Sequence, residues 1–151
     1  MRHIVFRGKN KTGEWIYGSL VVNPFDEEDV EIVNGSYRFL PREAVDAETI
    51  GQSTGFRLRG GKYVFEGDVV TVEGQGPLAK LVVFDQKAGA FCLANVAEVR
   101  NASMRRGCVQ HPDTYWWKTN VSKIILEGNI WDDDKYQDLQ PFFHSLNNQT
   151  L

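Results

Sequence analysis

The stretch from Gly51 to Val72 constrains this chain more than any other. It places Gly51, Gly55, Gly60, Gly61 and Gly67 between short apolar runs. Glycine reaches positive φ without a Cβ penalty, so such a density of it marks tight turns. Three corners are expected, at Gly51/Gly55, at Gly60-Gly61 and at Glu66-Gly67-Asp68. The β-branched run Val69-Val70-Thr71-Val72 follows them. The stretch holds no nucleophile, metal cage or phosphate cradle. Gly60-Gly61-Lys62 resembles the end of a phosphate loop, but the first glycine, the following Ser/Thr and the opening helix are missing.

Short strands and turns continue on both sides. Residues 4–22 read as a β-hairpin, with Ile4–Arg7 and Trp15–Val22 as strands and Gly8–Gly13 as the turn. Asn23-Pro24 breaks the second strand. An acidic loop, Asp26–Asp29, precedes the alternating strand Val30–Val33. Asn34-Gly35 before Tyr37–Leu40 is the strongest hairpin signal, because a type I′ turn needs positive φ twice. Pro41–Val45 is expected to begin one helical turn, and Asp46 to cap a second through Glu48-Thr49. Beyond Val72 come the turn Gly74–Pro77, the strand Leu78–Phe84, the turn Asp85–Gly89 and the strand Ala90–Leu93. Residues 94–104 fit helix or strand, Arg105-Arg106-Gly107 a loop, and Val121–Leu126 a strand. Asp132-Asp133-Asp134 suits a helix start, where carboxylates meet the positive end of the helix dipole, and Pro141 limits that helix. The tail from Asn147 is expected to fray. Turns every eight to twelve residues or so are the pattern of a small β-barrel or sandwich, so the class is mainly β with minor α.

Composition sets the outer limits. A chain of 151 residues, 42% apolar and 25% charged, is long enough for one domain or two small subdomains with a core. A net charge of −3 removes any bulk electrostatic case for nucleic-acid binding. The apolar run after Met1 is too short for a signal peptide or a membrane span, which makes the cytoplasm the default. Cys92 and Cys108 lack Cys-x-x-Cys spacing and are expected as free thiols.

Four blocks resemble the YopX family of bacteriophage and prophage proteins. They are Phe6-Arg7-Gly8 with Gly13–Gly18, then Val45–Gly55, then Gly61-Lys62-x-x-Phe65-Glu66-Gly67-Asp68-Val69-Val70, and the closing Glu127-Gly128-Asn129-Ile130-Trp131. Glu127 stands where the family has an aliphatic residue, and Gly60 where it often has Asn. The resemblance covers roughly residues 1–135 in the right order. It implies a mostly β protein with a part similar to an SH3-like barrel, encoded by phage or mobile elements of a bacterial host. An N-terminal hairpin subdomain, 1–50, would pack on a barrel subdomain, 51–135, with a short tail, 136–151. The resemblance supplies no catalytic residue. Gly51, Gln52, Thr54, Gly55, Gly61, Glu66, Gly67, Asp68, Gly128 and Asn129 are expected to shape corners and side-chain-to-backbone hydrogen bonds.

Candidate chemistry is thin. Glu66 and Asp68 could share a cleft as an acid/base pair, but no nucleophile stands near, and a turn with Asp68 accepting backbone N–H groups is the simpler reading. Glu127 with Asp132–Asp134 matches no EF-hand loop. His3, His111 and His144 share no helical face, so no metal site is expected. Ser53, Ser103 and Cys108 have no elbow motif or base beside them. No cofactor or small-molecule substrate is implied, and no enzyme.

Two binding classes are left. Arg57, Arg59 and Lys62, with Phe56 and Tyr63 interleaved, form one basic cluster. Arg100, Arg105 and Arg106 form another, and Tyr115-Trp116-Trp117-Lys118 offers aromatic faces, with Trp116 or Trp117 placed to stack bases. The alternative is a protein partner, or self-association, through edge strands and surface left by four tryptophans and nine phenylalanines. That second reading needs no catalytic group and is the one the sequence favours.

Overall fold

The computed structural model describes residues 4–34, 41–101, 109–110 and 112–147. The Asn34-Gly35 hairpin turn, Tyr37–Leu40, Arg105-Arg106-Gly107, Ser103, Cys108, His3 and His111 lie outside them in whole or part. Strand residues outnumber helical ones, and the chain is mainly β, built on two antiparallel sheets. It divides into two compact units, Met1–Gly55 and Phe56–Leu151.

The first unit holds β1 (Phe6–Lys9), β2 (Trp15–Asn23), β3 (Asp26–Val33), β4 (Arg42–Val45) and most of β5 (Gly51–Arg57), in the order β4-β3-β2-β1-β5. The β1–β2 turn is organised by Asn10, whose Oδ1 accepts the N–H groups of Thr12 and Glu14. The acidic stretch expected as a loop opens β3 instead. Asn23 pairs with Asp26, and the register shift before Val22↔Val30 leaves Glu27–Asp29 bulged and exposed. Arg42–Val45 is likewise a strand and not a helical turn. A four-residue helix would gain a single backbone hydrogen bond, whereas pairing with Val30–Val33 supplies a ladder and buries Val45 against Val30 and Ile32. Asp46 does cap a 3₁₀ turn, Ala47–Thr49, by accepting the Glu48 N–H at 3.0 Å.

Gly51 departs from its expected corner. It is a buried strand residue opposite Arg7. Gly55, at φ 83°, is the one that turns the backbone.

In the second unit the chain turns through Leu58–Lys62 into β6 (Tyr63–Phe65). It continues through β7 (Asp68–Val72), β8 (Lys80–Asp85), β9 (Ala90–Asn95), α1 (Val96–Asn101), β10 (Val109–Gln110), α2 (Thr114–Asn120) and β11 (Ile124–Asn129). The sheet order is β10-β9-β8-β7-β11, so the last strand returns to pair with the first of the meander. Strand alternation sends Val69, Leu81, Val83, Cys92 and Ala94 to one face and Val70, Val72, Val82, Phe91 and Leu93 to the other. Both faces are buried, which is why these strands read as continuous apolar runs. A 3₁₀ turn, Asp134–Leu139, and α3 (Gln140–Asn147) cover the first face with Tyr136, Leu139, Phe142, Phe143 and Leu146. The segment set apart in the sequence as a tail is therefore core. Pro141 sits in the first turn of α3, where its missing N–H costs no helical hydrogen bond. The second face takes Val64 and Trp117, with Phe56 and Leu58 beside them.

Candidate interaction surface

The two glycine motifs of the second unit meet at one node. The Gly67 N–H donates to the Val82 carbonyl at 2.9 Å, and the Ile130 N–H donates to the Gly67 carbonyl at 3.0 Å. Asp68 pairs with Asn129 across β7 and β11. Asp68 is 1% exposed, and its Oδ2 accepts the Phe65 N–H at 2.9 Å. Asn129 Oδ1 accepts the N–H groups of Trp131 and Asp132, each at 2.9 Å. These side chains bond backbone and shape a corner. Gln52 and Thr54 lie in β5, opposite Phe6 and buried respectively, and Ser53 Oγ accepts the Gly55 N–H at 3.0 Å.

Among the described residues, the predicted basic and aromatic side chains are divided between core and surface. On the β5–β6 hairpin, Phe56 and Leu58 point into the core, and Phe56 stacks on Trp117 with ring centroids 5.2 Å apart. Alternation turns Arg57 to the opposite side, where its guanidinium lies 4.3 Å over the Tyr63 ring and donates to the Tyr63 hydroxyl at 2.6 Å. Arg59, Gly60, Gly61 and Lys62 are exposed on the turn itself. Trp117 is only 3% exposed, so it serves the core and has no free face for a base. Trp116 is half-buried, edge-on to Trp117 at 5.5 Å, and Tyr115 is exposed. Both tryptophans sit on α2, capped by Asp113, whose Oδ1 accepts the Trp116 N–H. In the second basic cluster Arg100 is committed to a bidentate pair with Asp138, at 2.8 and 2.9 Å. That hydrogen bonding holds the Asp138 carboxyl below the ordinary carboxylate range and raises the Arg100 guanidinium. Arg105 and Arg106 lie outside the described residues.

Among the described residues no group of His, Cys, Asp and Glu is placed to hold a metal ion. His144 packs against Trp131 and Phe143. Cys92 is buried, and desolvation, aided by the negative charge of Asp85, pushes its thiol up to about 11. Among the described residues no helix is long and apolar enough to cross a membrane.

The feature that sequence reasoning missed is the open end of the second sheet. Tyr136 and α3 cover the face around Val69 and Leu81, and their cover stops at Thr71. There a cleft of about 400 Å³ lies between β11, the β7–β8 turn and Tyr136, lined by Thr71, Glu73, Pro77, Ile125 and Glu127 among others. Among the described residues β11 is the outermost strand of its sheet. Ile125 and Leu126, one on each face of it, are 50% and 40% exposed. A bulge between Leu126 and Gly128 adds Glu127, whose Oε1 accepts the Thr71 hydroxyl at 2.7 Å and so is held over the Thr71 face. The run Ile124-Ile125-Leu126 was visible as apolar, but nothing local in it marks an edge strand. No protein-family model matches the chain, and no curated protein matches it.

Proposed function

We propose that this protein is a non-catalytic protein-interaction module of the YopX type, encoded by a phage or prophage and working in the bacterial cytoplasm. The observation that carries the reading is β11, an edge strand with exposed apolar side chains beside a partly uncovered sheet face. Edge strands offer unpaired N–H and C=O groups to an added strand, and natural proteins usually blunt them with charge or bulges. The bulge here falls after Leu126, which leaves Ile124–Leu126 regular. The return of β11 to β7 also supports an SH3-like barrel as the frame of the second unit.

The test is capture of partners by the tagged protein with and without nuclease, compared with Ile125→Lys/Leu126→Lys. A specific protein that stays bound after nuclease and is lost in the variant, or self-association lost in the same way, supports the reading. Capture and association state that ignore the variant, with its thermal melt unchanged, overturn it.

A second reading is a nucleic-acid-binding accessory factor, supported by the shared exposure of Arg57, Arg59 and Lys62 on one hairpin. With Trp117 buried, stacking would fall to Trp116 or Tyr115. Neutralising the three cations should then lower the slope of log affinity against log salt for a single strand by about 2. An unchanged slope removes this reading.

A further inference from the structure

The cleft beside β11 has a definite chemical character. Its charged lining residues are Glu73 and Glu127, both carboxylates. The Thr71 hydroxyl fixes one oxygen of Glu127 at 2.7 Å, so the carboxylate is aimed by the sheet and not by solvent. The apolar part of the lining comes from Ile125, Pro77, Ala79 and Tyr136. Lys135, the cation next to Tyr136, is held over that ring at 5.0 Å and paired with Asp133 at 3.8 Å. A cleft that sets two carboxylates beside apolar side chains matches a ligand side chain with a hydrocarbon stem and a cationic head. The volume of about 400 Å³ suits one such chain with a neighbour.

The backbone beside the cleft sets how that side chain arrives. β11 pairs inward with β7, and its outer side is the sheet's edge among the described residues. An extended segment laid along it would present alternate side chains to the cleft face, where Ile125 and Glu127 already lie.

We propose that the cleft receives a lysine or arginine side chain, carried by an extended segment of another protein that adds as a strand along β11. This rests on the interaction-module reading and names the ligand class for it. Charge complementarity selects the residue, and strand pairing supplies the register. Exposed ion pairs contribute about 0.2–1 kcal/mol, so the head group adds selectivity of up to about fivefold on top of the pairing.

The experiment is an NMR titration of the isotopically labelled full chain with three synthetic hexapeptides of alternating threonine and valine. Their fourth residue is lysine, norleucine or glutamate. The lysine peptide is expected to shift amides of Ile124–Asn129 and of the β7–β8 turn, and to bind up to about fivefold tighter than the norleucine peptide. The glutamate peptide should be weakest. In Glu73→Gln/Glu127→Gln the lysine preference should vanish while norleucine binding is unchanged. Equal binding of lysine and norleucine peptides overturns the proposal and leaves strand addition at β11 standing. Shifts away from β11, or none with any peptide, remove both. A dimer of the free chain that is lost in the same double variant makes a second copy the occupant and overturns the foreign segment.

Discussion

Gly67 shows how much one residue settles here. Its φ is +82°, and a Cβ would come within 3.1 Å of Trp131 Nε1. A side chain there is strained by the backbone and crowded by the indole. Gly67→Val should cost about 1–2 kcal/mol or more, and Gly55→Val, at φ 83°, about 1 kcal/mol, both read as a lower urea midpoint at unchanged slope. Gly67 and Asp68 were legible because a positive-φ corner before a β-branched run has few alternatives. Gly51 was not, because glycine also serves where chains crowd. Gly18 is the clear case, since a Cβ on it would lie 2.0 Å from the Val33 carbonyl oxygen. Cys92 carries a second residue-scale expectation. In a Cys108→Ser background its thiol should react with an aromatic disulfide reagent at pH 8 far more slowly than in the unfolded chain. A thiol raised from 9.0 to about 11 favours the folded state below pH 9, and that contribution is lost as pH rises toward 11. Fast labelling of the folded protein at pH 8 contradicts the burial.

Elements in this chain were decided by their neighbours as much as by propensity. Arg42–Val45 has residues that suit a helical turn, yet β3 offers it a ladder, so it pairs. Tyr115-Trp116-Trp117 is a run of aromatic residues, a type common in strands. Asp113 caps the segment and Trp117 finds the core at helical spacing, so it coils. α1 is joined to the 3₁₀ turn before α3 by the Arg100–Asp138 pair, with the two side chains 41% and 53% exposed. Solvent and salt screen a pair this exposed, so Asp138→Asn should cost under about 1 kcal/mol. The sign with pH follows from the lowered Asp138 carboxyl. Its contribution is present above the ordinary carboxylate range and is lost as pH falls through the lowered value. The difference between wild type and Asp138→Asn, measured by urea unfolding, should therefore be largest near neutral pH. It should shrink below pH 3 and in 1 M salt. A difference independent of pH would assign the effect to packing.

At the scale of the molecule, each unit has its own core, a small one around Ile32 in the first and a two-faced one in the second. The C-terminal segment is a layer of the second unit, because Phe142, Phe143 and Leu146 bury the face that Val69, Leu81 and Val83 present. Phe142 is 1% exposed, so Phe142→Ala should cost about 3–5 kcal/mol by the same urea measurement. A cost near that of a surface substitution would show that the layer is not part of the cooperative core. Where this layer ends, the cleft beside β11 begins, and the candidate site is therefore a product of incomplete cover.

By itself the sequence determined the mainly β class, the corners at Gly60-Gly61 and Gly67, the Asp46 cap and the Asp68 turn, since each depends on residues near one another in the chain. Tertiary structure alone decided which strand stands at an edge, that residues 136–147 form core, that Arg57 and Trp117 face opposite ways, and that Thr71, Glu73 and Glu127 share a cleft. Those outcomes depend on contacts across tens of residues, such as the pairing of Asp68 with Asn129 and the core that Val69 shares with Phe143, and no local pattern encodes them.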